Sequence, residues 1–202
     1  MIRIILAAVL SLALSACVTT SVKSYTDDDF RASKVTKIVV DLNQLPPSMR
    51  DAVGSEISIK MTKMGVATTL ITQVIPPTRE VNPEQARNLI LKGGFDAILT
   101  MKMTDEKERT TYGGSINTGT TNAYIYGSRV NAYSSGTSIP LINAESVTIF
   151  HATLFDASSA RKIWVADLIT EAGGTYYVGN NKAIAENAVE TLIKKLREDG
   201  RI

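Results

Sequence analysis

The sequence predicts an α/β fold, a mixed sheet of about five strands with three helices, ordered βαβαβ and then a β-hairpin and a carboxy-terminal helix. Three observations predict it. Short β-branched runs stop at prolines or follow glycines. Apolar stripes recur at helical spacing between them. The last third changes to two extended runs around a small polar loop.

Lys37-Ile38-Val39-Val40-Asp41-Leu42 ends before Pro46-Pro47 and reads as a buried strand. In the helix that follows, Ser48 with Asp51 offers a start cap and Gly65 stands where a left-handed stop is common. Met49, Val53, Ile57, Met61 and Met64 recur at helical spacing between them, as core filler. Val66 to Ile71 is a second strand, closed by Pro76-Pro77. Asn82-Pro83-Glu84-Gln85 supplies a capping asparagine, a proline at the first helical position and a glutamine that can reach back. That helix runs to about Lys92, Gly93-Gly94 ends it, and Phe95 to Met103 is a third strand. Alternation of this kind signals a right-handed parallel unit. Ser146 to Asp156 and Lys162 to Thr170, joined by Ala157-Ser158-Ser159-Ala160, fit an antiparallel hairpin. Ala185, Ala188, Val189, Leu192, Ile193 and Leu196 form the stripe of a closing helix before Gly200.

At the amino terminus, Met1-Ile2-Arg3 precedes an apolar run from Ile4 to Leu14 and then Ser15-Ala16-Cys17. This is the order of parts of a secretory signal, and the run is shorter than the roughly 20 residues of a membrane-spanning helix. Leu14-Ser15-Ala16-Cys17 resembles the lipobox of bacterial lipoproteins. The resemblance implies cleavage between Ala16 and Cys17, diacylglycerol on the Cys17 thiol and, usually, acylation of the new amino group. Several chains anchor firmly, because each buried methylene contributes about 0.8 kcal/mol. The other reading is an incidental cysteine beside an ordinary signal cut. Cys17 is the sole cysteine, so no disulfide forms within the chain and the compartment is inferred from the signal. Val18 and Thr19 follow it with no aspartate, which in proteobacterial lipoproteins looks like delivery to the outer membrane. The expected localisation is therefore the outer membrane, lipid-anchored, on the periplasmic face.

The expected domain plan is residues 1–16 removed as signal, 17–34 as a lipidated tether, and 35–202 as a single α/β domain with an insertion at 110–140. Val18 to about Ser33 is polar, as a spacer would be, and Asp27-Asp28-Asp29 reads as solvated linker or helix cap. Three adjacent carboxylates with no other ligands in sequence do not define an ion site. Lys and Arg number 22 against 20 Asp and Glu, with no long block of like charge, so neither nucleic acid nor an anionic lipid surface is indicated.

The insertion from Thr110 to Pro140 is dense in Gly, Ser, Thr and Asn, carries Tyr112, Tyr124, Tyr126 and Tyr133, and has Arg129 as its only charged residue. Two readings fit it. One is a flexible or loosely hairpinned excursion about Gly127-Ser128. The other is a contact surface made by Tyr112, Tyr124, Tyr126, Arg129 and Tyr133, since tyrosine joins broad apolar area to a hydroxyl and Ser, Gly and Asn hydrogen-bond adaptably. Oligomer formation through paired strands is a variant of the second.

Gly94-Phe95-Asp96-Ala97-Ile98-Leu99, Leu154-Phe155-Asp156 and Lys162-Ile163-Trp164-Val165-Ala166, with the closing helix, resemble a known group of small periplasmic lipoproteins. Their domain is similar to the amino-terminal domain of the Tol translocation protein, and the curli secretion channel subunit and the lipoprotein activators of peptidoglycan synthases look like relatives. The resemblance covers roughly Val35 to Ile202 and implies fold more than function. The chain departs from the curli type, whose membrane strands of about 9 to 11 residues show one continuous apolar face. It departs from the activators in lacking a long proline-rich tether.

His151 is the only histidine, in the alternating run Val147 to Leu154. No nucleophile-elbow motif accompanies it, one histidine with one lipidated cysteine makes no zinc set, and Gly93-Gly94 precedes a strand, the wrong order for a phosphate loop. Trp164 is most simply a core or hairpin anchor. The expectation is no catalysis, no metal and no cofactor beyond the covalent lipid on Cys17. The expected function is a membrane-anchored periplasmic lipoprotein that binds another envelope protein in envelope assembly or maintenance. Alternatives are a peptidoglycan or glycan binder and a subunit of an oligomeric secretion assembly. Expected partners are the membrane, an envelope protein and a further copy of the chain, not nucleic acid.

Overall fold

The computed structural model describes residues 17–30, 34–126, 129–174 and 181–202, with side chains except those of 17, 30, 113–126, 129–144 and 174. The strands are β1 (Cys17–Thr26), β2 (Lys37–Asp41), β3 (Ala67–Leu70), β4 (Ala97–Tyr126), β5 (Arg129–Asp156) and β6 (Lys162–Gly174). The helices are α1 (Pro47–Lys63), the single turn α2 (Ile71–Val74), α3 (Pro83–Lys92) and α4 (Asn181–Glu198). The strands form one mixed sheet in the order β1-β6-β5-β4-β2-β3. β2 lies parallel to β3 and β4, whereas β4–β5, β5–β6 and β6–β1 are antiparallel. The α/β class and the order of the central elements are as the sequence predicts.

One face of the sheet packs on α1 and α4. Met49, Val53, Ile57 and Met61 from α1 and Ile184, Ala188, Val189, Leu192 and Leu196 from α4 close over Ile38, Val40, Leu99, Phe150, Leu154, Trp164 and Leu168. Trp164 is 1% exposed, which makes it a core anchor. On the opposite face Val39, Ile90, Phe95 and Ala157 form a smaller cluster beneath α3.

Local signals explain most boundaries. Asn82 Oδ1 accepts from Gln85 N at 2.8 Å while Gln85 Oε1 accepts from Asn82 N at 3.2 Å, the reciprocal cap that the sequence predicts for α3. Gly65 and Gly94, with φ of +76° and +67°, take the left-handed turns that end α1 and follow α3. The start of α1 differs from expectation. Proline, not Ser48, begins it: Pro46 is the flanking residue without a side-chain cap and Pro47 the first helical position. Met64 lies just past the helix end and is 37% exposed, so the core stripe stops at Met61.

Two larger corrections concern length. The segment expected as a tether begins with a ten-residue strand, β1, paired along its whole length with β6 from Cys17↔Gly173 to Thr26↔Trp164. Val18 and Val22 pack against the core from an otherwise polar sequence, which is what an edge strand with one wet face requires. Most of the insertion is likewise strand: the third strand does not stop near Met103, nor does the hairpin begin at Ser146, because β4 continues to Tyr126 and β5 begins at Arg129.

Candidate functional site

β4 and β5 pair antiparallel from Ala97↔Asp156 out to Tyr126↔Arg129. Only the inner part belongs to the six-stranded sheet. β2 pairs with β4 no further than Thr100, and β6 pairs with β5 no further than Ala144. Beyond those points, among the described residues, the two strands form a ribbon whose outer edges meet no other strand. Threonine supplies strand propensity there, and cross-strand pairing supplies the rest. Register shifts at Met103/Asp105 and Tyr112/Gly114 mark bulges, which bend a ribbon and increase its twist.

Register brings together most of the residues singled out from sequence. Tyr126 pairs with Arg129, Tyr124 with Asn131 and Asn122 with Tyr133. By the two-residue period of a strand, Tyr124, Tyr126, Arg129 and Tyr133 therefore hold positions on one face at the far end of the ribbon. Their side chains, and the residues Gly127 and Ser128, lie outside the described residues. Tyr112 is separated from them. It pairs with Ile142 on the other side of the second bulge, out of phase with the rest, and is 70% exposed.

Cys17, where the sequence leads to the expectation of a lipid, has a defined place relative to the ribbon. Cys17 pairs with Gly173, Gly173 with Glu145, and Glu145 with Arg109, so the four form one row across the sheet. The folded body lies on one side of that row and the ribbon continues on the other. Residues 1–16, with Ala16 of the expected cleavage site, lie outside the described residues. Among the described residues no helix is long and apolar enough to cross a membrane.

β1 is fixed at its far end by a polar knot that sequence reading missed. Ser24 Oγ donates to Asp199 Oδ2 at 2.5 Å, Trp164 Nε1 donates to the same oxygen at 2.8 Å, and Lys195 Nζ lies 2.9 Å from Oδ1. Burial works against ionisation of Asp199, but the bonds from Ser24, Trp164 and Lys195 together hold its carboxyl below the usual range. The indole in a buried strand was the available signal, since a buried Trp N–H needs an acceptor. Asn187 Nδ2 donates to Val18 O at 3.1 Å and secures the near end. Of the aspartate run, Asp27 and Asp29 both pair with Arg161 at 3.1 Å.

His151 Nδ1 lies 2.7 Å from Asp167 Oδ1, its register partner on β6, on the sheet face away from α1 and α4. Among the described residues no cluster of His, Cys, Asp and Glu could hold a metal.

No family model matches the chain, and no curated protein matches it. Solved structures do. The class they define is the fold: the chain is similar to the PelC dodecamer of Paraburkholderia phytofirmans, with a TM-score of 0.50 at 12% identity, covering 88% of this chain and 97% of that one. A second similar structure is the lipoprotein GNA1162 of Neisseria meningitidis, with a TM-score of 0.43 at 14% identity, covering 81% of this chain and 99% of that one. At this identity the likeness to PelC is one of fold.

Proposed function

We propose that this chain is the repeating subunit of an oligomeric, lipid-anchored assembly of the bacterial envelope, joined through the β4–β5 ribbons and without catalytic chemistry of its own. The observation that carries the reading is the ribbon itself. A two-stranded ribbon is marginal alone in water, and each unpaired edge presents a row of N–H and C=O groups that templates another strand. A neighbouring copy offers the same edges at the same height, so edge-to-edge addition repeats from subunit to subunit. PelC, similar in fold, is a dodecamer, which supports a second copy of this chain as the partner. Leu14-Ser15-Ala16-Cys17 supports the anchor, on the periplasmic face of the outer membrane.

Light scattering of the detergent-extracted full chain tests this. A mass several times the protomer's is expected, falling to the protomer's mass when Thr110–Ala144 is replaced by an Asn-Gly turn. A full chain that stays monomeric across a hundredfold range of concentration overturns the reading.

A further inference from the structure

We propose that the groove between the carboxy-terminal ends of α1 and α4 is a docking site for an acidic, amphipathic segment of another envelope protein. The proposal is independent of assembly through the ribbons and concerns a different face of the subunit.

Two helices far apart in sequence build the groove. Asn181 Nδ2 donates to Ser48 Oγ at 3.1 Å where α4 and α1 begin, and Lys60 Nζ lies 3.2 Å from Glu190 Oε2 further along, so the helices run side by side in one direction. Both end at the same place, and there they leave a groove of about 650 Å³. Its rim holds four cations, Lys60 and Lys63 from α1 and Lys194 and Arg197 from α4, against Glu190 and Glu198. That surplus of two positive charges equals the formal charge of the entire chain, +2, so the rest of the molecule sums to neutral. Among the described residues no carboxylate pairs with Lys63 or Arg197, and Lys194 reaches Glu198 only at 4.0 Å.

Between the cations the groove is apolar. Met64, just past the end of α1, is exposed, and Ile193 of α4 lines the same groove. Cations in the last turn of a helix complement its dipole, which accounts for their presence on each helix. It does not account for an exposed methionine among them. Methionine adapts to irregular apolar partners, and an apolar groove rimmed by one sign of charge is suited to an amphipathic helix of the opposite sign. The planar guanidinium of Arg197 matches a carboxylate, and Lys63 adds a second point of charge. From Glu190 to Arg197 α4 rises about 10 Å at about 1.5 Å per residue, room for about two turns of such a partner.

Position selects a protein over the anchoring membrane as the occupant. The Trp164–Asp199 bond ties the end of α4 to the Thr26 end of β1, and β1 rises about 30 Å from Cys17 to Thr26. The Arg197 end of the groove therefore stands well beyond a Debye length of about 8 Å from headgroups around a lipid on Cys17.

Fluorescence anisotropy of a labelled synthetic helix, with glutamates along one face and leucines along the other, measures binding to the detergent-extracted full chain. Lys63→Gln with Arg197→Gln is expected to weaken binding about tenfold and Met64→Ser several-fold. A probe with glutamine in place of glutamate should bind the native chain as weakly as the acidic probe binds that double variant. Glu190→Gln frees Lys60 and should tighten binding. Lys23→Gln with Lys102→Gln removes the same charge from the sheet face away from the helices, at the register partners of Asp167 and His151, and should bind like the native chain. Lys63, Met64 and Arg197 are exposed, so the groove variants should melt with the native chain. No binding by the native chain, weaker binding by Glu190→Gln, or equal losses in the two double variants overturns the proposal. So does pelleting of the full chain, held in phosphatidylcholine nanodiscs, with phosphatidylglycerol vesicles when Lys63→Gln with Arg197→Gln abolishes it, because the occupant is then an anionic lipid surface.

Discussion

Asp199 ties the amino-terminal strand to its neighbour strand and to α4. Its Oδ2 accepts from Ser24 on β1 and Trp164 on β6, and its Oδ1 meets Lys195 on α4. Removing it leaves a buried indole N–H without its acceptor, so Asp199→Ala should cost about 1.5–3 kcal/mol by urea unfolding. The pH dependence has a definite sign. The folded carboxyl is held below its unfolded value of about 3.9, so its contribution is complete above that value and is lost as pH falls through the lowered one. Unfolding midpoints between pH 6 and 3 should therefore fall less steeply for Asp199→Asn than for the native chain; parallel curves would refute the assignment. Trp164→Ala removes the largest fully buried side chain as well as the donor, and a loss of about 3–5 kcal/mol is expected. Cys17→Ala should abolish incorporation of labelled palmitate and release the protein from the membrane fraction; persistent label would show that the lipid sits elsewhere.

At the scale of elements, the ribbon is separable from the domain and β1 is not. Among the described residues, the hydrophobic core draws on β4 up to Met103 and on β5 from Phe150. Replacing Thr110–Ala144 with a short turn should leave a single cooperative transition by circular dichroism, with a midpoint within a few degrees of the native one. β1 is different because Val18 and Val22 pack on the core and its ladder covers the edge of β6. A chain beginning after Thr26 bares that edge, and its expected behaviour is concentration-dependent aggregation, read by light scattering. By the same pairing, the proposed lipid on Cys17 would sit directly on the sheet and not on a long leash. Cys17 is the first residue of a strand paired with its neighbour from that very position.

For the whole molecule, one sheet carries three tasks along its length. Its central part buries the core, its β1 edge brings Cys17, the proposed lipidation position, to the end of the folded body, and its β4–β5 extension leaves the body on that same side. In the proposed assembly, anchor and ribbon would thus act at one place, and subunits gathered by their lipids on one surface would present their ribbons side by side. Confinement of this kind raises effective concentration, so oligomerisation should weaken when the anchor is lost. Comparing the masses of the native chain and Cys17→Ala at equal concentration measures this, and equal masses would show that the anchor contributes nothing to assembly.

The sequence by itself determined the elements whose signals are local. The capping box at Asn82–Gln85, the left-handed stops at Gly65 and Gly94 and the helical stripes of α1 and α4 are each fixed by residues within a few turns of one another. Leu14-Ser15-Ala16-Cys17, which resembles a lipobox, is a contiguous motif of the same kind. What only the tertiary structure decided is pairing. β1 reads as a polar spacer until β6 is set beside it, because an edge strand needs only alternate, half-buried contacts such as Val18 and Val22. The outer ribbon reads as a loop because threonine, serine and glycine give no apolar alternation in either strand alone. Its order, its two faces and the separation of Tyr112 from Tyr124, Tyr126 and Tyr133 follow from a register set by the partner strand and shifted by bulges. The row joining Cys17 to Arg109 spans three strand pairings between residues far apart in sequence, and no local pattern encodes it.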